Sequence, residues 1–178
     1  MKYKNSNSID GRVFPPHLTL LTGGTDKESL YAIAQLLAAQ DWNMDDCSAS
    51  PADTSEGFLS IPVRSNQLRV VQEDILKNIE PIISKKPFLH PRVLEKWDHL
   101  SSVQKERAIR YGTYKIAEDF HPHISIAKVE PAHQYAALAM ARESIQAPMH
   151  MAFDIIQLVD VGHKNEKWEI IAEYPLGE

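Results

Sequence analysis

Phe120-His121-Pro122-His123-Ile124-Ser125-Ile126 has a weaker echo far upstream, Phe14-Pro15-Pro16-His17-Leu18-Thr19-Leu20, and both read aromatic, one residue, Pro, His, any, hydroxyl, aliphatic. In an extended strand successive side chains alternate between faces. His17 and Thr19 therefore share one face, as do His123 and Ser125, while Leu18, Leu20, Ile124 and Ile126 turn toward a buried back. Each copy presents an imidazole and a hydroxyl side by side. One such tetrapeptide carries little information; two copies, each with Pro just before the His, are much harder to attribute to composition.

The stretches that follow the two copies are also alike. After His17, Gly23-Gly24 marks a turn, and Thr25 with Glu28 fits a capping box. Leu30, Ile33, Ala34 and Leu37 then recur at helical spacing, which predicts a helix from Asp26 to about Gln40. After His123, Pro131 opens a second predicted helix to about Gln146, with Tyr135, Leu138, Ala139 and Ile145 facing inward. Each helix is followed by strand-like material. In the first half this is an ambiguous stretch from Trp42 to Ser50, a loop from Ser50 to Gly57, and a strand from Gly57 to Arg64 in which Pro62 points to a sheet edge or strand end. In the second half, strands over 152–161 and 168–175 flank Gly162-His163-Lys164-Asn165-Glu166, a hairpin pattern.

Between the halves, Leu68, Val71, Ile75, Ile79 and Ile82 predict an amphipathic helix over 66–84 that Pro81 kinks or ends. Lys85 to Arg92 reads as an irregular link. A charged helix over 93–111 follows, broken near Ser101-Ser102 and stopped by Gly112. The fold class expected is α+β: a single bilobal domain over 1–178, with one lobe over about 13–84, a second over about 118–178 and a helical connection over 85–117. The lobes would be related by a pseudo-two-fold axis, mainly antiparallel in sheet, with helices outside and a central cleft holding both motifs.

Composition narrows the function classes. A chain of 178 residues with a formal net charge of −5 lacks the basic surface that sequence-blind binding to a long nucleic acid needs, though a local pocket can still be positive. Cys47 is the only cysteine, so no disulfide forms within the chain and a buried filler role is expected. The polar amino terminus does not resemble a secretory signal, and no apolar run is long enough to cross a bilayer. The cytoplasm is the default address, no membrane partner is expected, and oligomeric state is left open.

Two imidazoles facing one cleft suit acid-base chemistry, because one ring can stay neutral while its partner is protonated near neutral pH. Hydroxyls from Thr19 and Ser125 would donate hydrogen bonds to the non-bridging oxygens of a phosphoryl centre. Such a site needs neither metal nor cofactor and suits a phosphodiester, above all a strained cyclic one. His121 shares the face of His123 and is a candidate for the border of the site. Tyr114 is another, by stacking a base; surface and core-packing roles are the alternatives for both. His121 and His123 could also be read as a metal pair, but no Asp or third His stands at a matching spacing. Parity places Lys128 on the face away from His123. His90, His99, His133, His150 and His163 share no recurring context and read as surface or loop residues.

The two H-x-[T/S]-aliphatic segments, in their contexts FPPHLTL and FHPHISIAKV, resemble the paired signatures of the 2H phosphoesterase superfamily, above all its cyclic phosphodiesterase branch. The 2′-5′ RNA ligase-like proteins belong to the same superfamily. The resemblance spans roughly Val13 to Leu176 in plan, including the terminal strand with Trp168. It implies metal-independent hydrolysis of a 2′,3′- or 1″,2″-cyclic phosphate on a nucleotide or RNA end, with His17 and His123 catalytic and Thr19 and Ser125 binding the phosphate. Weak RNA ligation, or a module that only binds a nucleotide or RNA end, are the alternatives. Members usually carry a strand and a helix before the first motif, where this chain has 16 residues. That unit is expected either to be reduced to the Lys2-Tyr3-Lys4 region or to have been trimmed.

Overall fold

The computed structural model describes residues 17–42, 44, 46–55, 57–83, 89, 91–145, 148–160 and 169–176. In chain order its elements are α1 (Lys27–Ala38), β1 (Ser48–Ala49), β2 (Asp53–Ser55), β3 (Phe58–Arg64), α2 (Gln67–Ile79), α3 (Pro91–Glu95), α4 (Ser102–Tyr111), β4 (His123–Lys128), α5 (Gln134–Ser144), β5 (Met149–His150), β6 (Ile155–Asp160) and β7 (Glu169–Pro175). Short 3₁₀ turns sit at Trp97–His99, Ala117–Asp119 and Pro131–His133. Helices and antiparallel strands coexist in separate stretches, so the fold is α+β. The elements group into two compact units that interleave along the chain. One comprises the described residues up to Thr19 with those of Asp45–Asn66 and His121–Ala152; the other comprises Leu20–Met44, Gln67–Phe120 and those of Phe153–Glu178.

The first unit holds His17, Thr19, His123 and Ser125. β3 is its central strand: β4 pairs along one edge, while β2 and β1 follow one another along the other, and β5 extends the sheet beyond β1. All pairings are antiparallel. The stretch expected to be a loop over 50–57 thus contains a short strand, β2, folded back on β3. Its Ser, Asp and Thr content gives no strand signal; the open edge of β3 supplies the hydrogen-bond partners. Pro62 lies within this interior strand rather than at an edge. Its carbonyl accepts from the Ser50 N–H at 2.8 Å, and because proline has no N–H to return, the run of β1 pairing ends there.

One face of this sheet is apolar. Leu59, Val63, Ala49 and Ile124 are buried on it, and α5 lies across it, anchored by Arg142 Nε donating to the Ala52 carbonyl at 2.9 Å. The helix begins as a 3₁₀ turn at Pro131 and becomes α only from Gln134. Tyr135 and Ala139, expected to face inward, are exposed; the inward row runs instead through Ala137, Leu138 and Ala141. Cys47 is fully buried, as its filler role requires.

In the second unit α1 packs against α2 and β7. The expected apolar series are on the inner faces: Ile33 and Leu37 of α1, and Leu68, Ile75 and Ile79 of α2, are buried. The cap of α1 is not the expected Thr25–Glu28 box. Asp26 is the N-cap, accepting from the Ser29 N–H at 2.8 Å and the Ser29 hydroxyl at 2.9 Å. A carboxylate competes well for the exposed helix-start donors. α2 ends at Ile79, so Pro81 ends the helix rather than kinking it, because the residue before a proline is disfavoured in the helical region. The charged helix is broken at Ser101, which caps α4 through a full capping box with Gln104, and Gly112 ends α4 at φ 77°. β6 and β7 pair antiparallel as expected, while the turn over 162–166 and Trp168 lie outside the described residues, as do Lys2-Tyr3-Lys4, His90 and His163. Among the described residues no helix is long and apolar enough to cross a membrane.

Candidate functional site

The two motifs meet through one backbone bridge, Leu18 opposite Ile124, antiparallel. Ile124 also pairs with Ile61, so the first motif lies along the edge of β4 that β3 leaves open. The consequences follow from strand geometry. With Leu18 facing Ile124, His17 stands opposite Ser125 and Thr19 opposite His123. Residues directly opposed share a face and hold their Cβ atoms about 5 Å apart, with diagonal neighbours roughly 7–8 Å apart. Two direct imidazole–hydroxyl pairs, with the imidazoles on a diagonal, therefore occupy one patch of the face opposite to α5. His123 and Thr19 are exposed there, and His17 and Ser125 are half-buried.

The His123 ring is oriented by its own loop. Nδ1 lies 2.8 Å from the His121 carbonyl oxygen, which can only accept, so Nδ1 carries the proton. Nε2 is left to exchange protons with a ligand: a base when the ring is neutral, an acid when it is protonated. Pro122 shapes this arrangement. Its carbonyl accepts from Val63 N–H at 2.9 Å, tying the residue before His123 to β3.

β4 contains an irregularity that the motif does not announce. Leu59 pairs with Ala127 but Ser60 pairs with Ser125, so Ile126 is an extra residue without a β3 partner. A bulge of this kind shifts the alternation by one. Ile126, expected to be buried, is 37% exposed. Beyond it, Lys128 pairs with Phe58, two positions from Ser60 on β3, which by register is the face of His123 and Ser125, and it also borders the groove beneath α5. Lys128 is exposed, one step of about 7 Å along the sheet from Ser125.

The same register shows which other side chains share the site face. Ser60 is buried beside Ser125, and Asp53 lies beyond it on β2. The pairing of Pro62 with His123 carries on to Val63 with Pro122, and hence Arg64 with His121. Arg64 in turn pairs with Ser48, and Ser48 with His150. Arg64, His121 and His150 are exposed. Sequence reading misses Arg64, Ser60 and Lys128 because cross-strand register is a tertiary property; the only local hint is that Arg64 stands two residues after Pro62 in a predicted strand.

Tyr114 belongs to the second unit, where it packs against the cluster of Val93, Leu100 and Ala108. A groove of about 300 Å³ runs between α5 and the sheet, with Leu59, Ala127, Ala137, Met140 and Ala141 along its wall. That wall is mostly apolar, and none of the four motif side chains lines it. Among the described residues no group of three or more His, Cys, Asp or Glu side chains is placed to hold a metal ion. Chemically, the patch offers one ring nitrogen of defined protonation, a second imidazole, two hydroxyl donors and nearby cations. That set matches what a phosphoryl centre needs: a proton acceptor, a proton donor and hydrogen bonds to non-bridging oxygens. No family model, curated protein or solved structure matches this chain.

Proposed function

We propose that this protein is a metal-independent phosphodiesterase that opens a small cyclic phosphate, of the 2′,3′ or 1″,2″ type, by paired-histidine acid-base catalysis. The observation that supports the proposal is the Leu18–Ile124 bridge, about which His17 lies opposite Ser125 and Thr19 opposite His123. In the reaction, the neutral imidazole removes a proton from water as its oxygen attacks phosphorus. The protonated imidazole gives its proton to the departing ribose oxygen. The Thr19 and Ser125 hydroxyls donate to the non-bridging oxygens, where negative charge grows in the transition state. Lys128 adds a positive charge to the same face. A 2H phosphoesterase-like fold is part of the same reading, supported by the α+β architecture and the adjacent antiparallel placement of the two motif segments.

The test is turnover of 2′,3′-cyclic nucleotides with EDTA present. His17→Ala and His123→Ala each lower kcat by about a hundredfold to ten-thousandfold if they act as general acid and base. Unchanged turnover in either variant sinks the reading, as does complete inhibition by chelator. Binding of the cyclic nucleotide without product would assign the face to a binding module.

A further inference from the structure

We propose that the row formed by His121, Arg64, Ser48 and His150 is a subsite for a second phosphate, so that the preferred ligand carries two phosphates about one nucleotide apart. The row crosses three strands. Arg64 stands on β3 next to Ser48 of β1, which pairs with His150 of β5, and on the other side the bond from the Val63 N–H to the Pro122 carbonyl brings the segment holding His121 alongside, ahead of β4. Cross-strand neighbours of this kind lie about 5 Å apart, so a guanidinium is flanked by imidazoles and a hydroxyl within reach of one anion. Arg64, His121 and His150 are exposed, so an anion has access to them. Asp53 stands two rows away, beyond Ser60, and the carboxylate of Asp46, two residues before Ser48, accepts from the Ser65 hydroxyl and the Asn66 N–H. The chain as a whole has a net charge of −5, so a row of basic side chains on one face is a departure from its surroundings.

The position of the row fixes the chemistry. It is displaced by two residues along the strand from the His123 row, which is about 7 Å. An anion centred on the row therefore lies about two residues along the strands from one bound between the two motifs. A planar guanidinium forks onto a phosphate through paired N–H donors, and imidazole and hydroxyl groups complete the oxygen partners. An adjacent phosphodiester in an oligonucleotide end and a terminal phosphate on a single nucleotide both supply that second anion. The inference rests on the phosphodiesterase reading only for the location of the first phosphate.

Calorimetric titration of the full chain with adenosine 3′-monophosphate, adenosine 3′,5′-bisphosphate and the dinucleotide ApA 3′-phosphate tests the subsite without requiring turnover. Both two-phosphate ligands are expected to bind about tenfold or more tightly than the monophosphate, the gain of a charge-assisted contact. A gain confined to the dinucleotide assigns the subsite to an oligonucleotide end, and one confined to the bisphosphate assigns it to a terminal phosphate. Arg64→Ala should bring the ratio close to one, Arg64→Lys should retain part of it, and Lys77→Ala, an equal change of charge on α2, should leave it as in the wild type. Equal affinity of all three ligands for the wild type overturns the proposal, as does a ratio that survives Arg64→Ala. If the Arg64-dependent ratio is seen but no cyclic phosphate is hydrolysed, the subsite stands and the hydrolase reading fails. If cyclic phosphates are hydrolysed but the three ligands bind alike, the hydrolase reading stands and the subsite fails.

Discussion

Replacing Gln72 by Leu should cost the unit containing α1, α2 and α4 about 2–6 kcal/mol. The Gln72 side chain has no exposed surface. Its Nε2 donates to the Leu20 carbonyl at 2.7 Å and, more weakly, to the Lys115 carbonyl at 3.4 Å, while its Oε1 accepts from the Ala117 N–H at 3.2 Å. Ala117 sits at φ 53°, a left-handed conformation unfavourable for a residue with a Cβ, and the bond from Gln72 helps hold it there. Leucine fills nearly the same volume, so no large cavity opens, but two well-bonded backbone groups lose their partners. Each orphaned buried group costs about 1–3 kcal/mol, which gives the range stated, with little added for the 3.4 Å contact. Trp42 and Trp97 belong to the same unit, so tryptophan fluorescence in a urea titration follows its unfolding. With a slope near 2 kcal/mol per molar urea, the midpoint falls by about 1–3 M. A midpoint within about 0.3 M of the wild type would show that these bonds contribute nothing net.

Three further expectations concern other parts of the molecule. On the proposed hydrolase reading, Ser125→Ala and Thr19→Val each remove a hydroxyl donor and should lower kcat about a hundredfold to a thousandfold while KM moves less; steady-state kinetics on a cyclic nucleotide measures this, and an effect confined to KM would contradict transition-state donation. The Arg107 guanidinium, hydrogen-bonded to Glu118, holds that carboxyl below its usual range. A lowered folded-state value means that the stabilisation is present above the unfolded carboxylate pKa, about 4.3, and is lost as pH falls through the folded value. Arg107→Gln should therefore flatten the acid side of the melting temperature profile, and an unchanged slope would count against the pair. Finally, deleting Ile126 removes the unpaired residue and leaves every β3–β4 pairing in place, whereas deleting Ile124 forces a register slip. Circular dichroism melts should show the first variant folded and the second severely destabilised, and equal losses would refute the bulge.

The local signals in the chain are legible, and the rows across strands are not. Helical spacing locates α1 and α2, and Ser101, Gln104 and Gly112 mark the limits of α4 because caps are short-range chemistry. The placement of His17 with Thr19, and of His123 with Ser125, on one face each follows from alternation alone. What alternation cannot supply is the extra residue in β4. Nothing in Ile124-Ser125-Ile126-Ala127 distinguishes a regular strand from a bulged one, so parity puts Lys128 on the wrong face and Ile126 in the core. The same gap hides β2, whose composition is that of a turn, and Arg64, whose neighbours His121 and Ser48 come from remote parts of the chain. The lead-in before His17 and the hairpin tip at 162–166 lie outside the described residues.

Among the described residues the segment carrying His17 and Thr19 pairs with the sheet at the Leu18–Ile124 bridge, whereas the segment carrying His123 and Ser125 pairs with β3 for most of its length. Half of the constellation thus rides on the margin of the sheet and half on its interior. Peeling that margin away costs far less than melting the sheet, so amide exchange at residues 18–20 should run ahead of that in β3. Mild denaturant should then silence the protein while its circular dichroism still looks native.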